Sequence, residues 1–451
     1  MLPPYLSAEI AAVGCAESGS PLDNGCLTGG LGMMVRIPER LAAVLVTPKT
    51  NLGILVNMAL QLGFAKVFFA IFFLASLATA HNAKTFNVRN YGAVADGRKD
   101  NRKAFLKAWR DACNQKGISR VYIPGGVYVL GTVEFLGPCK GPITFLMTGT
   151  VRAPAGPLST DEWITFRYVN KLIVKGGGTL DGQGASAWPY NECDKNSNCR
   201  SLPISMRFEF VTNSRIKYIR SINSKNGHLS FFACKNVNVT NIELSAPGDS
   251  PNTDGIKIGS SRDIRISSSR ISTGDDCIAI LSGSTNIDIS YVYCGPGHGI
   301  SVGSLGKFPN EDDVKGLVVR HSTFNGTDNG LRIKTWESPW RSTASNFTFE
   351  DIFMEKVRNP IIVDQAYCPH PPCNQQTASH VQIKDVTYRN IWGTSSSQIA
   401  VSIDCSKQFP CKNIVMKDIN LAHLGREGPL KSHCSYVDGH FYGRQNPPSC
   451  F

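Results

Sequence analysis

The sequence of 451 residues predicts an all-β fold, a right-handed parallel β-helix with a short capping helix at its N-terminal end. Three observations lead there. Short β-branched segments recur through the second half of the chain, turn residues rather than helical patterns separate them, and one amphipathic stretch precedes them.

The recurring segments are SRIKYIRSI, NVNVTNIEL, DIRISSSRI, NIDISYVYC, GLVVRHSTF, NFTFEDIFM, HVQIKDVTY and NIVMKDINL. Aligning their first apolar residues gives Ile216, Val237, Ile264, Ile287, Leu317, Phe347, Val381 and Ile414, at intervals of 21, 27, 23, 30, 30, 34 and 33 residues. Each segment alternates apolar with polar and is bounded by Gly, Ser, Asn or Asp, as a strand is. In a solenoid, no coil buries its apolar face until a neighbour stacks on it. A β-sandwich or propeller is the alternative, but propeller blades repeat at about 40 residues or more.

The stretch Asp100 to Cys113, DNRKAFLKAWRDAC, puts Ala104, Phe105, Ala108, Trp109 and Ala112 on one helical face behind an Asp that suits an N-cap. Such a helix would cover the first coil, whose open end would otherwise leave sheet edge and core in water.

Ahead of this lies a different kind of sequence. Val67 to Ala80 reads VFFAIFFLASLATA, preceded by Lys66 and ending in Ala78-Thr79-Ala80, which is the layout of a secretory signal peptide. Residues 58–80 are therefore read as that signal, 1–57 as a disordered upstream extension of the gene model, and 81–451 as a single β-helical catalytic domain. A signal-anchor helix is the alternative, though a bilayer span needs about 20 apolar residues. No later segment is long and apolar enough to span, so the mature form is expected to carry no membrane segment.

Residues 1–80 hold four basic and four acidic side chains, so the remainder keeps the whole net charge of +12. A secreted basic protein is drawn to polyanions, and in that compartment an acidic polysaccharide is the expected partner rather than nucleic acid. The cysteines read as disulfides, with short intervals suggesting Cys193–Cys199, Cys277–Cys294, Cys368–Cys373, Cys405–Cys411 and Cys434–Cys450. An odd number after residue 80 leaves at least one thiol free, with Cys234 the candidate. Neither a C-x2-C pair nor H-E-x-x-H is present, and no metal or cofactor is expected. Asn238, Asn325 and Asn346 stand in glycosylation sequons.

Three polar clusters acquire positions from the repeat. Asp254 precedes Ile264 by 10 residues and Asp276 precedes Ile287 by 11, so they fall near one place on consecutive coils. His298 follows Asp276 by 22 residues, and Arg332 and Lys334 come one coil later. Stacked strands lie about 4.8 Å apart, so these groups should form a ladder on one face. Crowding Asp254, Asp275 and Asp276 raises at least one carboxyl pKa and so supplies an acid. Glycoside hydrolysis needs that acid and a second, ionised carboxylate, and an Arg–Lys pair would hold a substrate carboxylate. Taken singly, each group could be a turn residue or a solvated strand face. Spacing alone leaves open which aspartate carries the proton.

The strings Asn252-Thr253-Asp254, Gly274-Asp275-Asp276, Gly297-His298-Gly299 and Arg332-Ile333-Lys334 resemble the four signature segments of the polygalacturonases of glycoside hydrolase family 28, over a stretch from Thr85 to the C-terminus. The resemblance implies a pectin-lyase-like β-helix that hydrolyses α-1,4 bonds of de-esterified pectin with inversion and without metal. It implies Asp275 as proton donor, Asp254 and Asp276 as holders of the water, and His298 as support for the acid. Asn252, Arg332, Lys334 and Tyr367, in VDQAYCP, would bind substrate. NGLRIKTW, VDQAYCPHPPCNQ and YGRQNPPSC look most like plant exopolygalacturonases associated with pollen, which release galacturonate from the non-reducing end. A monomer located in the cell wall is the corresponding expectation. Endo action is the nearest alternative; rhamnogalacturonan hydrolysis, a calcium-dependent pectate lyase and a non-catalytic pectin-binding wall protein are more distant.

Overall fold

Period-two alternation turns one row of side chains inward and the next outward, and the chain winds these rows into a coil. The computed structural model describes residues 83–192, 199–369, 371, 373, 377–426 and 428–451; the upstream extension and signal peptide expected over 1–80 lie outside them. Among the described residues the strands form one sheet of nineteen and one of eleven. The pairings run parallel throughout, and the fold is a right-handed parallel β-helix. Where one coil uses two short strands, Lys235–Thr240 and Glu243–Ser245, the next uses a single long one, Arg262–Ser272, that pairs with both.

The core is a set of ladders. Phe166, Phe208 and Phe231 stack at 5.5 and 4.8 Å, and the same inward register continues through Ile258, Ile280, Val302, Ile333, Val363 and Ile403. All are buried, each contributing about 1.5–3 kcal/mol by leaving water.

The register expected from the repeats holds at four of its seven steps, from Val237 through Ile264, Ile287 and Leu317 to Phe347. It fails at the ends: Ile216 pairs with Val239, and Phe347 pairs with Val386, which in turn meets Ile414. A slip of two residues keeps every side chain on its own face, so alternation cannot detect it. Val381 belongs to the other side of a corner made at Asp385, whose φ is 56°, and it pairs with Ser342.

Helix α1 (Arg102–Cys113) buries the expected face, with Cys113 added. Trp109 packs against Phe135 and Phe166 at 5.0 and 5.4 Å, closing the first coil. The N-cap is Asn101, which makes no side-chain cap bond, and not Asp100. Asp100 ends the preceding strand; its carboxylate accepts from the backbone N–H of Arg102 and of Gly131.

Four expected disulfides form, Cys277–Cys294, Cys368–Cys373, Cys405–Cys411 and Cys434–Cys450, and Cys234 is free and buried. Cys193 lies outside the described residues. The sequence reading missed Cys113–Cys139, 26 residues apart, which ties α1 to a later turn of the coil.

Candidate active site

Four strands of the eleven-stranded sheet make the floor of the site: β1 (Ile256–Gly259), β2 (Ile278–Ile280), β3 (Ile300–Leu305) and β4 (Asn329–Thr335). Ile256, Ile278, Ile300 and Leu331 are partners in register. Asp254, Asp276 and His298 each stand two residues before these, so they occupy equivalent places on three successive coils. Arg332 and Lys334 do not continue that row. Arg332 pairs with Ser301 and Lys334 with Asp364, further along the strand, and both reach back to Asp276.

The turns before these strands need glycine for steric reasons. A Cβ on Gly274 would lie 2.0 Å from the Ser250 carbonyl oxygen, and Gly299, at φ +84°, would place one 2.2 Å from that of Asn329. The tight turns hold the acids at fixed height, with the Gly255 N–H donating to the Asp276 carbonyl and the His298 N–H to that of Asp275.

Each carboxylate has a different setting. Asp276 is buried, and its side chain accepts from Ser301 Oγ at 2.7 Å, Arg332 Nη2 at 2.6 Å and Lys334 Nζ at 3.0 Å. Asp275 is half-buried; its Oδ1 lies 3.0 Å from His298 Nδ1 and accepts from the Asp276 N–H at 2.7 Å, while Oδ2 is 3.5 Å from Asn252 Nδ2. Asp254 is buried beside Lys257, whose Nζ is 3.0 Å from its Oδ1 and 3.3 Å from Asn226 Oδ1.

These settings push the acids apart in the way acid–base pairs require. Burial drives Asp254 up to about 7, against the opposing charge of Lys257. Burial also acts upward on Asp275, but the hydrogen bond and charge of His298, with Lys334 and Lys257 behind, hold it well below the usual carboxylate range. The hydrogen bond to Asp275 raises His298 above 6.5 despite its burial. One carboxyl, Asp254, is thus raised, chiefly by burial rather than by the crowding the sequence suggested, with the charges of Asp275 and Asp276 adding to it.

The groups border a cleft of about 810 Å³ that also takes in Asn252 and Tyr367. Asn252 accepts from Asn191 Nδ2 at 2.9 Å, and the Tyr367 ring centroid lies 5.2 Å from Lys334 Nζ. All eight residues expected at the site are therefore brought together. Sequence reasoning missed two. Lys257, three residues after Asp254, faces outward from β1 and lines the cleft, and Ser301 fixes both Asp276 and Arg332 Nε, the latter at 2.9 Å. An outward residue on the strand that follows the Asp254 turn and on the one that follows the His298 turn was the available signal.

Asp275, Asp276 and His298 present ligand atoms within 4.8 Å of one another, a spacing a metal ion could use. The oxygens of Asp276, however, are already taken by two cationic side chains of the same protein.

The family model for glycosyl hydrolases family 28 matches residues 113–449. The chain belongs to that family. Family 28 membership agrees with its relatives: it is 44% identical to an exopolygalacturonase of Platanus acerifolia, over 81% of this chain and 97% of that one. It is 43% identical to a polygalacturonase of Brassica napus, over 85% and 96%. Among solved structures it resembles the endo-xylogalacturonan hydrolase of Aspergillus tubingensis, with a TM-score of 0.69 at 22% identity, over 80% of this chain and all of that one. That last likeness concerns the family 28 fold.

Proposed function

We infer that the protein hydrolyses the α-1,4-galacturonosyl bonds of polygalacturonate, acting from the chain end and releasing galacturonate. The observation that carries this reading is the division of labour around Asp276: two cations hold one carboxylate in place by ion pairs while its neighbour Asp275, paired with His298, opens onto the cleft. The likeness to plant exopolygalacturonases supports the exo mode.

In the proposed mechanism, a sugar covering Asp275 adds to its desolvation and favours its neutral form, with the proton coming from His298 along their hydrogen bond. Asp275 gives that proton to the leaving glycosidic oxygen as the C–O bond breaks. Water adds to the anomeric carbon from the opposite face, and its proton passes to Asp276, so the configuration inverts. Asp254 helps hold the water. Arg332 and Lys334 retain donors beyond those used on Asp276, and these bind the substrate carboxylate; Asn252 and Tyr367 complete the contact.

The same reading makes residues 58–80 a secretory leader and 81–451 the working enzyme, a monomer in the cell wall needing neither nucleic acid nor membrane. The disulfides suit an oxidising compartment. Of the three sequons Asn346 is exposed, whereas Asn238 and Asn325 are half-buried and Asn325 donates to Glu355; Asn346 is the most accessible to a glycan.

The test incubates the secreted form with polygalacturonate, with and without a chelator, following reducing ends, viscosity and ultraviolet absorbance. Galacturonate release with little early loss of viscosity, unaffected by chelation, is expected. A rapid viscosity drop overturns the exo mode, and an unsaturated, absorbing product overturns hydrolysis.

A further inference from the structure

Past Tyr367 the active-site cleft adjoins a second hollow of about 380 Å³, lined by Lys307, Trp336, Trp340 and the same Tyr367. A line of two rings with a cation at each end connects the two. Lys334 Nζ lies 5.2 Å from the Tyr367 ring centroid, that ring 5.2 Å from Trp336 at 73°, and Lys307 Nζ 5.2 Å from Trp336 in turn. Lys307 is exposed, lies 5.5 Å from the Phe308 ring as well, and has no carboxylate partner among the described residues. Its loop is anchored from behind, because the Glu311 carboxylate accepts from the backbone N–H of Gly306, Lys307 and Phe308 at 2.8–2.9 Å. Trp340 is 39% exposed, a large apolar side chain left open at the rim.

We propose that this hollow is an outer sugar-binding site, which holds a further galacturonate unit of the polymer by its carboxylate on Lys307 and its ring face on Trp336 and Trp340. The inference rests on the hydrolase reading above and names where the uncleaved remainder of the chain lies. A polymer of galacturonate repeats one carboxylate and one apolar ring face per unit. The wall repeats their complements, an ammonium group and an aromatic ring, outward from the acids. Aromatic faces offer rigid apolar area at low entropic cost, and an anchored loop avoids the cost of ordering on binding. Glu337, the acid among the lining residues, offers an acceptor for sugar hydroxyls.

The test compares kcat/KM on a galacturonate pentamer with that on the dimer, for the wild type, Lys307→Met and Trp340→Ala. An exposed charge pair contributes up to about 1 kcal/mol, so the pentamer-to-dimer ratio is expected to fall about fivefold in Lys307→Met and to fall in Trp340→Ala also. A ratio equal to wild type in both variants, or an equal loss on both oligomers, overturns the site. Should the wild type cleave neither oligomer, the hydrolase reading fails, and calorimetric titration with the two oligomers still decides the hollow. A pentamer preference that Lys307→Met removes supports it, and no such preference refutes it. Because Lys307 is exposed, its substitution tests the site even if Trp340→Ala folds poorly.

Discussion

His298 Nδ1, one coil along, stands 3.0 Å from Oδ1 of Asp275, which adjoins the buried Asp276, whose oxygens face Arg332 and Lys334. One proton held between an imidazole and a carboxylate, next to a carboxylate bound by two cations, is an arrangement for moving a proton in one direction.

Asp275→Asn keeps the side chain's shape and an acceptor for His298 but removes the acid. Turnover of polygalacturonate is expected to fall by about 10²–10⁴-fold, with binding of a galacturonate oligomer within about twofold of wild type. Reducing-end assay and calorimetry measure the two, and normal turnover would end the assignment.

His298 must carry a proton to deliver it. Its pKa is raised from 6.5, chiefly by the bond to Asp275, so kcat/KM should hold through neutrality and decline on the alkaline side as the imidazole loses its proton. In His298→Gln that decline should vanish and kcat drop at every pH. A pH profile in the variant that matches wild type in shape and height would remove His298 from the proton path.

Lys334→Ala removes one of the three donors on Asp276 and one substrate cation. KM for polygalacturonate should rise about tenfold, corresponding to ~1.4 kcal/mol, and the melting temperature should fall because the buried carboxylate loses a partner. An unchanged KM would argue that Arg332 alone meets the substrate.

Asp254 links stability to pH in the direction opposite to an ordinary ion-paired carboxylate. Its folded pKa of about 7 exceeds the unfolded 3.8, so the folded state binds more protons between those values and its stability declines as pH rises through that window. Lys257 stays charged throughout, its own pKa being raised by Asp254 against the effect of burial, and so contributes a constant offset. Denaturant melts of wild type and Asp254→Asn across this range should show the difference shifting toward the variant with rising pH, by on the order of a few kcal/mol. A shift in the other direction would show that Asp254 is ionised throughout.

Much of the site was legible because neighbours on a β-helix are one coil apart in sequence. Asp254 and Asp276 could be placed in one row from their distances to the next strand, and His298 from its spacing of 22 residues after Asp276. Cys277 and Cys294, 17 residues apart, could likewise be paired within a single coil. Arg332 and Lys334 were correctly drawn to the acids but set in the wrong row, since strand offset depends on where each turn ends and not on residue count. Cys113–Cys139 escaped notice because it runs from the end of the helix across three strands rather than one turn.

The sequence by itself determined the solenoid, through period-two rows at coil-length intervals without helices between them, and it determined eight of the side chains that meet in the cleft. Only the tertiary structure decided what each of them is. Burial, prevailing over the charge of Lys257, makes Asp254 the carboxyl that holds a proton at rest, and contact with His298 keeps Asp275 ionised until something covers it. Desolvation and charge act through space across coils, and residue order along the chain carries no measure of either.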